Sequence, residues 1–295
     1  MKVKKYAAID IGSNAVRLLI CNIIEQKNKP TVFSKNAIIR VPIRLGADSF
    51  VVGEIGEENQ QRMIDAMHAY KLLMKVHGVE RHLAYATSAL REANNGHQLI
   101  DRVRGATGIE IEIIDGQREA EIIASTDLYT VLKPNKNYLF VDVGGGSTEL
   151  TVYAKGKITA SKSFKVGTVR LMKKMVSKKV WENYKSWLET HTADLDNLSV
   201  LGSGGTINTL FKLSGHKLGK PLSLDYMQTQ YNTLKSMSPK KMMIQLKLNP
   251  DRADVIVQAT RIYLLAMKHA KASKIHVPKV GLADGMVKLM YKEYG

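Results

Sequence analysis

Cysteine is almost missing from this chain of 295 residues. Cys21 is the single one, which excludes an intramolecular disulfide and leaves no zinc spacing. A lone thiol inside a strand reads as a core residue and is consistent with a reducing compartment. Aromatic residues make up 6% of the chain. With no ribonucleoprotein-type motif beside them, no specific nucleic-acid partner is expected. No run approaches the roughly 18 apolar residues of a transmembrane helix. The start, Met1-Lys2-Val3-Lys4-Lys5, leads straight into a strand and lacks the apolar core of a signal peptide. A cytoplasmic protein without a membrane partner is therefore the expectation. Acidic residues are scarce as well. Lys and Arg number 44 against 27 Asp and Glu, a formal charge of +17. That balance favours anionic partners, among them a polyphosphorylated ligand.

What the chain does contain is a motif that occurs twice. Ala8-Ile9-Asp10-Ile11-Gly12-Ser13-Asn14 runs into Val16-Arg17-Leu18, and Val141-Asp142-Val143-Gly144-Gly145-Gly146-Ser147-Thr148-Glu149 runs into Leu150-Thr151-Val152. Each is an apolar strand, an Asp-x-Gly turn rich in glycine and small hydroxyl residues, and a second apolar strand. Glycines let backbone N–H groups converge on an anion, and Ser, Thr or Asn adds side-chain donors. The Asp would repel that anion. It is better placed to hold a divalent cation that bridges to phosphate. Two such cradles predict two similar domains facing one cleft, with a polyanion between them. A third small-residue loop, Gly202-Ser203-Gly204-Gly205-Thr206, follows a strand and opens a helix, which is another anion-binding geometry.

Strand and helix patterns alternate throughout, so the fold class is α/β. Strands are expected around the first cradle and over 31–43, 82–86, 109–114, 157–164 and 198–201, and near Ile275. Glu57 to Val76 reads as an amphipathic helix with Met63, Met67, Tyr70 and Met74 on its core face. Further helices are expected over 96–104, about 117–131, 169–190 in pieces, 226–247 in pieces, about 249–270 and 281–291. Lys133-Pro134-Asn135-Lys136-Asn137 is the clearest linker. It divides the chain into an N-terminal domain, 1–132, and a C-terminal domain, 133–295.

Five segments stand out in order along the chain: Ala7 to Asn14, Ala86-Thr87-Ser88-Ala89-Leu90-Arg91-Glu92-Ala93, Ile113-Ile114-Asp115-Gly116-Gln117-Arg118-Glu119-Ala120, Phe140 to Glu149, and Arg252-Ala253-Asp254-Val255-Ile256. Together they resemble the exopolyphosphatase/guanosine pentaphosphatase (Ppx/GppA) family in its short, two-domain form. The resemblance implies two actin-like domains (ribonuclease H-like, sugar kinase/actin ATPase superfamily) around a central cleft. It implies Mg²⁺-dependent hydrolysis of the terminal phosphoanhydride of inorganic polyphosphate. Guanosine pentaphosphate is the alternative substrate, and a non-hydrolysing nucleotide-binding protein is the alternative of another class. A homodimer is left open.

The resemblance also assigns roles. Glu119 falls on the catalytic base and Arg91 on an arginine that contacts the phosphoryl group. Asp142 and Glu149 fall on carboxylates linked to magnesium, with Asp10 as their counterpart in the first cradle. Gly12, Ser13 and Asn14, and Gly144, Gly145, Gly146 and Ser147, fall on the phosphate loops. Thr148, Gly204, Gly205 and Thr206 extend the expected phosphate-binding set. Two departures stand out. Arg118 sits beside the base where many members carry an acid, and Ala283-Asp284 replaces an Arg-Glu pair.

Overall fold

The computed structural model describes residues 1–124, 126 and 136–295. Two compact units divide the chain. Met1–Thr126 with Leu282–Gly295 forms one, and Asp127–Gly281 forms the other. The expected division put all of 133–295 in the second domain. Its boundary lies outside the described residues, as do the far end of the predicted 117–131 helix and most of the linker. The closing helix differs from the expectation, since Leu282–Gly295 belongs with the first unit.

In the first unit, β1 (Lys2–Ile11), β2 (Val16–Glu25) and β3 (Val32–Val41) form an antiparallel meander. Strands β4 (Arg81–Ala86) and β5 (Glu112–Ile113) add in parallel on the other side of β1. The sheet order is β3-β2-β1-β4-β5. Its helices are α1 (Leu45–Val52), α2 (Glu57–His77), α3 (Ser88–Glu92), α4 (Gly96–Thr107) and α5 (Gly116–Ala124). The whole predicted core face of α2 is buried: Met63, Met67, Tyr70 and Met74. The Tyr70 hydroxyl donates to the Val16 carbonyl at 3.0 Å, tying this helix to the sheet. Helix α1 has no counterpart in the sequence reading, because Gly46 and the Val51-Val52 pair obscure its helical period.

The second unit repeats the plan. Strands β6 (Tyr138–Val143), β7 (Thr148–Ala154) and β8 (Lys157–Phe164) form the meander, and β9 (Ser199–Ser203) pairs parallel to β6. Beyond β9 come β11 (Lys274–His276) and the short β10 (Leu222–Ser223), giving the order β10-β11-β9-β6-β7-β8. Read from the meander inward, both sheets begin third, second, first, fourth strand; the first then ends on its fifth, whereas the second continues with its sixth and then its fifth. The helices are α6 (Thr168–Met172), α7 (Lys178–Thr192), α8 (Gly205–Leu213), α9 (Leu224–Lys235), α10 (Pro239–Gln245), α11 (Pro250–Ala253) and α12 (Ile256–His269). Where a single helix over about 249–270 is predicted, the chain breaks after Ala253.

Helix α13 (Leu282–Tyr294) closes the chain on β1, β2 and β4 of the first unit. It buries Leu282, Met286, Val287 and Met290. Asp284 on this helix pairs with Lys35 of β3 at 2.7 Å, so the departure at this position forms a structural ion pair in the first unit. Cys21 is 3% exposed, and burial together with the Asp284 charge pushes its thiol up to about 11. The core reading of this cysteine holds. No helix among the described residues is long and apolar enough to cross a membrane.

Candidate active site

Both cradles adopt the same turn. In the first, the Gly12 N–H donates to the Ala15 carbonyl at 3.1 Å, and in the second Gly144 N–H donates to Ser147 O at 2.9 Å. Each is backed by the helix that follows the third strand of its sheet. Gly46 N–H of α1 bonds Ser13 O at 2.8 Å, while Thr168 and Val169 N–H of α6 bond Gly144 O and Gly145 O at 3.1 and 2.9 Å.

The hydroxyls of these loops make hydrogen bonds within the protein. Ser13 is 2% exposed, and its Oγ pairs with Ser88 Oγ at 2.9 Å. Thr148 is fully buried and donates to the Val166 carbonyl. Ser13 in the turn and Thr148 at the start of β7 each make a buried hydrogen bond that holds its loop. Ser147 is buried as well, whereas Gly12, Asn14 and Gly145 are partly exposed and Gly144 is open.

Asp10 lies at the end of β1, with Arg17 of β2 directly opposite and 3.2 Å from Oδ2. Burial pushes the Asp10 carboxyl up and Arg17 draws it back. In the second unit, Asp142 and Glu149 face each other in register across β6 and β7. Each brings a carboxylate oxygen within 4.8 Å of the other's. Glu149 is 1% exposed, and the Ser163 hydroxyl donates to its Oε1 at 2.9 Å. Two carboxylates held this close, one of them buried, could share a divalent cation. Hard oxygen donors in small number suit Mg²⁺, which keeps several of its waters. Asp10, already compensated by Arg17, fits a direct ligand role less well.

The third loop completes the second unit's site. Ser203 lies beside Asp142 across β9 and β6. Gly204 caps α8 at φ +112°, where a side chain would be strained and would sit 3.4 Å from Asp142 Oδ1. No side chain caps this helix, so the first N–H groups of α8 are left for an outside acceptor. Thr206 is buried in that first turn. The guanidinium of Arg252, at the end of α11, lies against Gly205 so closely that a Cβ there would overlap it at 2.0 Å. Tyr263 of α12 donates its hydroxyl to the Ser203 carbonyl. Burial and the Asp142 charge hold that phenol well above its ordinary range, so it keeps its proton. Arg252 is legible only as part of a motif without an assigned role. Tyr263 has no signal in the sequence at all, because a tyrosine at a helical core position reads as packing.

In the first unit, Glu119 occupies the first turn of α5 and is partly exposed. Its N–H bonds Asp115 O at 3.0 Å, and Asp115 Oδ1 takes the Arg118 N–H at 2.7 Å as a helix cap. Arg91 Nη1 donates to the Ile114 carbonyl at 2.6 Å, bracing the turn from which Glu119 projects. That one bond leaves most of its five N–H donors for other acceptors. Arg118 turns to Glu121, at 3.6 Å, and to the Tyr85 hydroxyl.

Two α/β units, each presenting an Asp-bearing glycine turn with carboxylates and arginines beside it, have the groups that handle phosphoryl substrates. The sequence profile of the Ppx/GppA phosphatase family matches residues 23–293, and the chain belongs to that family. It is 28% identical over 290 residues to the bifunctional 3-dehydroquinate synthase/phosphatase of Fusobacterium nucleatum; the match takes in 87% of this chain and 42% of that protein. It is also 28% identical to Exopolyphosphatase 2 of Mycobacterium tuberculosis, over 87% of this chain and 88% of that one. Among solved structures, the Ppx/GppA family member of Aquifex aeolicus superposes with a TM-score of 0.76 at 26% identity, covering all of both chains.

Proposed function

We propose that this chain is an exopolyphosphatase that removes the terminal phosphate of inorganic polyphosphate with the help of Mg²⁺. The observation that carries the reading is the Asp142–Glu149 pair, with Glu149 buried and Asp142 partly exposed beside a glycine loop and an uncapped helix N-terminus. The named relatives support the same class of reaction. Asp142 and Glu149 would hold the Mg²⁺, and the family resemblance adds Asp10 to the candidate ligands. When bound, the ion would neutralise charge on the non-bridging phosphate oxygens.

The chain's own groups do the rest. Glu119 accepts a proton from water as the water oxygen bonds to the terminal phosphorus. The anhydride P–O bond then breaks, and the shortened chain leaves with the electron pair. Orthophosphate is the other product. Arg91 places N–H donors on the oxygens of the transferred group. The loop of Gly144, Gly145 and Gly146 and the first turn of α8 at Gly205 and Thr206 supply backbone donors.

The test is orthophosphate release from long-chain polyphosphate, guanosine pentaphosphate and ATP, side by side, with and without Mg²⁺. Fastest release from polyphosphate, and only with the metal, is expected. Preference for guanosine pentaphosphate would move the assignment to a 5′-phosphohydrolase, and no release from any of them would leave a binding protein.

A further inference from the structure

Arg170 is one of the basic residues that a polyanion-binding reading would place on the phosphate chain. The structure puts it elsewhere. It is 7% exposed, in the short helix α6, and its Nε donates to the Gly146 carbonyl at 2.7 Å. A guanidinium this deeply buried is held by its hydrogen bonds, since leaving its donors unmet would cost more than the fold returns.

That bond completes a row. Thr168 N–H takes Gly144 O, Val169 N–H takes Gly145 O, and Arg170 Nε takes Gly146 O. Three successive carbonyls of the glycine loop are thus drawn to one side. In a trans peptide the C=O and the following N–H point opposite ways. The N–H groups of Gly145, Gly146 and Ser147 are therefore turned to the other side, together. Among the described residues, none of these three N–H groups has a protein acceptor. The approach is close. A Cβ on Gly167, just before α6, would lie 2.3 Å from Gly145 O. The first cradle has backbone bonds from Arg44 and Gly46 in the matching place.

We propose that Arg170 is a positioning residue. From behind the loop it holds the Gly146 peptide so that three N–H groups converge on the terminal phosphate. The inference rests on the hydrolase reading above, and it names the side chain that sets the shape of the phosphate cradle. A hydrogen bond from a charged donor is worth enough to move affinity by about tenfold when the geometry depends on it.

The experiment measures binding of tripolyphosphate by calorimetry to wild-type protein, Arg170→Ala and Arg170→Lys, with melting temperature and the Mg²⁺ dependence of turnover recorded alongside. The expected result is a loss of at least about fivefold in affinity for both variants. The Mg²⁺ concentration for half-activity should stay near wild type, because Asp142 and Glu149 are untouched. Guanidinium ion added to Arg170→Ala, with sodium chloride as the control, should recover part of the lost binding. A smaller loss of affinity, or a loss that guanidinium leaves unchanged, would overturn the proposal. Should the alanine variant fail to fold, Arg170→Lys decides on the same threshold. Wild-type protein that binds no tripolyphosphate would sink the hydrolase reading and this inference with it. A wild type that binds, beside variants that bind equally well, would sink the inference alone.

Discussion

Glu119→Gln keeps the shape of the side chain and removes its basicity. Turnover should fall roughly 10²–10⁴-fold, the usual scale for a general base, with KM for polyphosphate nearly unchanged. Steady-state kinetics decides, and retention of more than about a tenth of the activity counts against the role. Asp142→Asn removes a charge from the pair opposite Glu149. The Mg²⁺ concentration for half-activity should rise, and an unchanged metal titration would remove Asp142 from the ligand set. Cys21 gives a check of a different kind. Buried and pushed up to about 11, its thiol should stay unreactive toward a disulfide reagent at pH 8 until the chain is unfolded in denaturant. Rapid labelling of the native protein would contradict the packing of β2. At this scale the placing of Asp142 and Glu149 beside a glycine turn was legible, since carboxylates at the ends of apolar strands stand out. The fate of the hydroxyls was not. Whether Ser13 or Thr148 meets a ligand or a core carbonyl depends on what packs behind it.

Among the elements, α2 separates core from surface along one helix. Met67 is fully buried and Leu72 is 63% exposed. Met67→Ala should cost about 2–5 kcal/mol, through lost burial and the cavity left behind. Leu72→Ala should stay within about 0.5 kcal/mol. Urea melts of the two variants check the contrast, and equal effects would mean that the helix faces are misassigned. The period of this helix was plain in the sequence because its apolar residues recur at helical spacing with no glycine or proline between them. Short elements were less visible. Only Glu112–Ile113 of the expected 109–114 strand pairs in the sheet, and α6 and α11 are too short to show a period. It is α6 and the end of α11 that deliver Arg170 and Arg252.

For the whole molecule, the +17 charge remains the broadest prediction about substrate. The structure trims the set of cations that serve it, since Arg17 is paired with Asp10 and Arg170 is buried behind its loop. If the remaining lysines and arginines track a long polyanion, KM for long-chain polyphosphate should climb steeply between about 50 and 200 mM salt. KM for guanosine pentaphosphate, with fewer phosphates, should climb less. Parallel, shallow curves would mean that only terminal phosphates are recognised, which favours the nucleotide.

The duplicated Asp-x-Gly turns and the alternation of strands and helices were determined by the sequence alone. Both are local: a turn needs its glycines and a strand its apolar run wherever they fall in the chain. The membership of α13 in the first unit was decided by tertiary structure, because its apolar face could have covered either sheet and finds its partners on β1, β2 and β4. The direction of the loop N–H groups was decided there too. Glycine permits many peptide orientations, and only the α6 segment, some 20 residues further on, selects one of them.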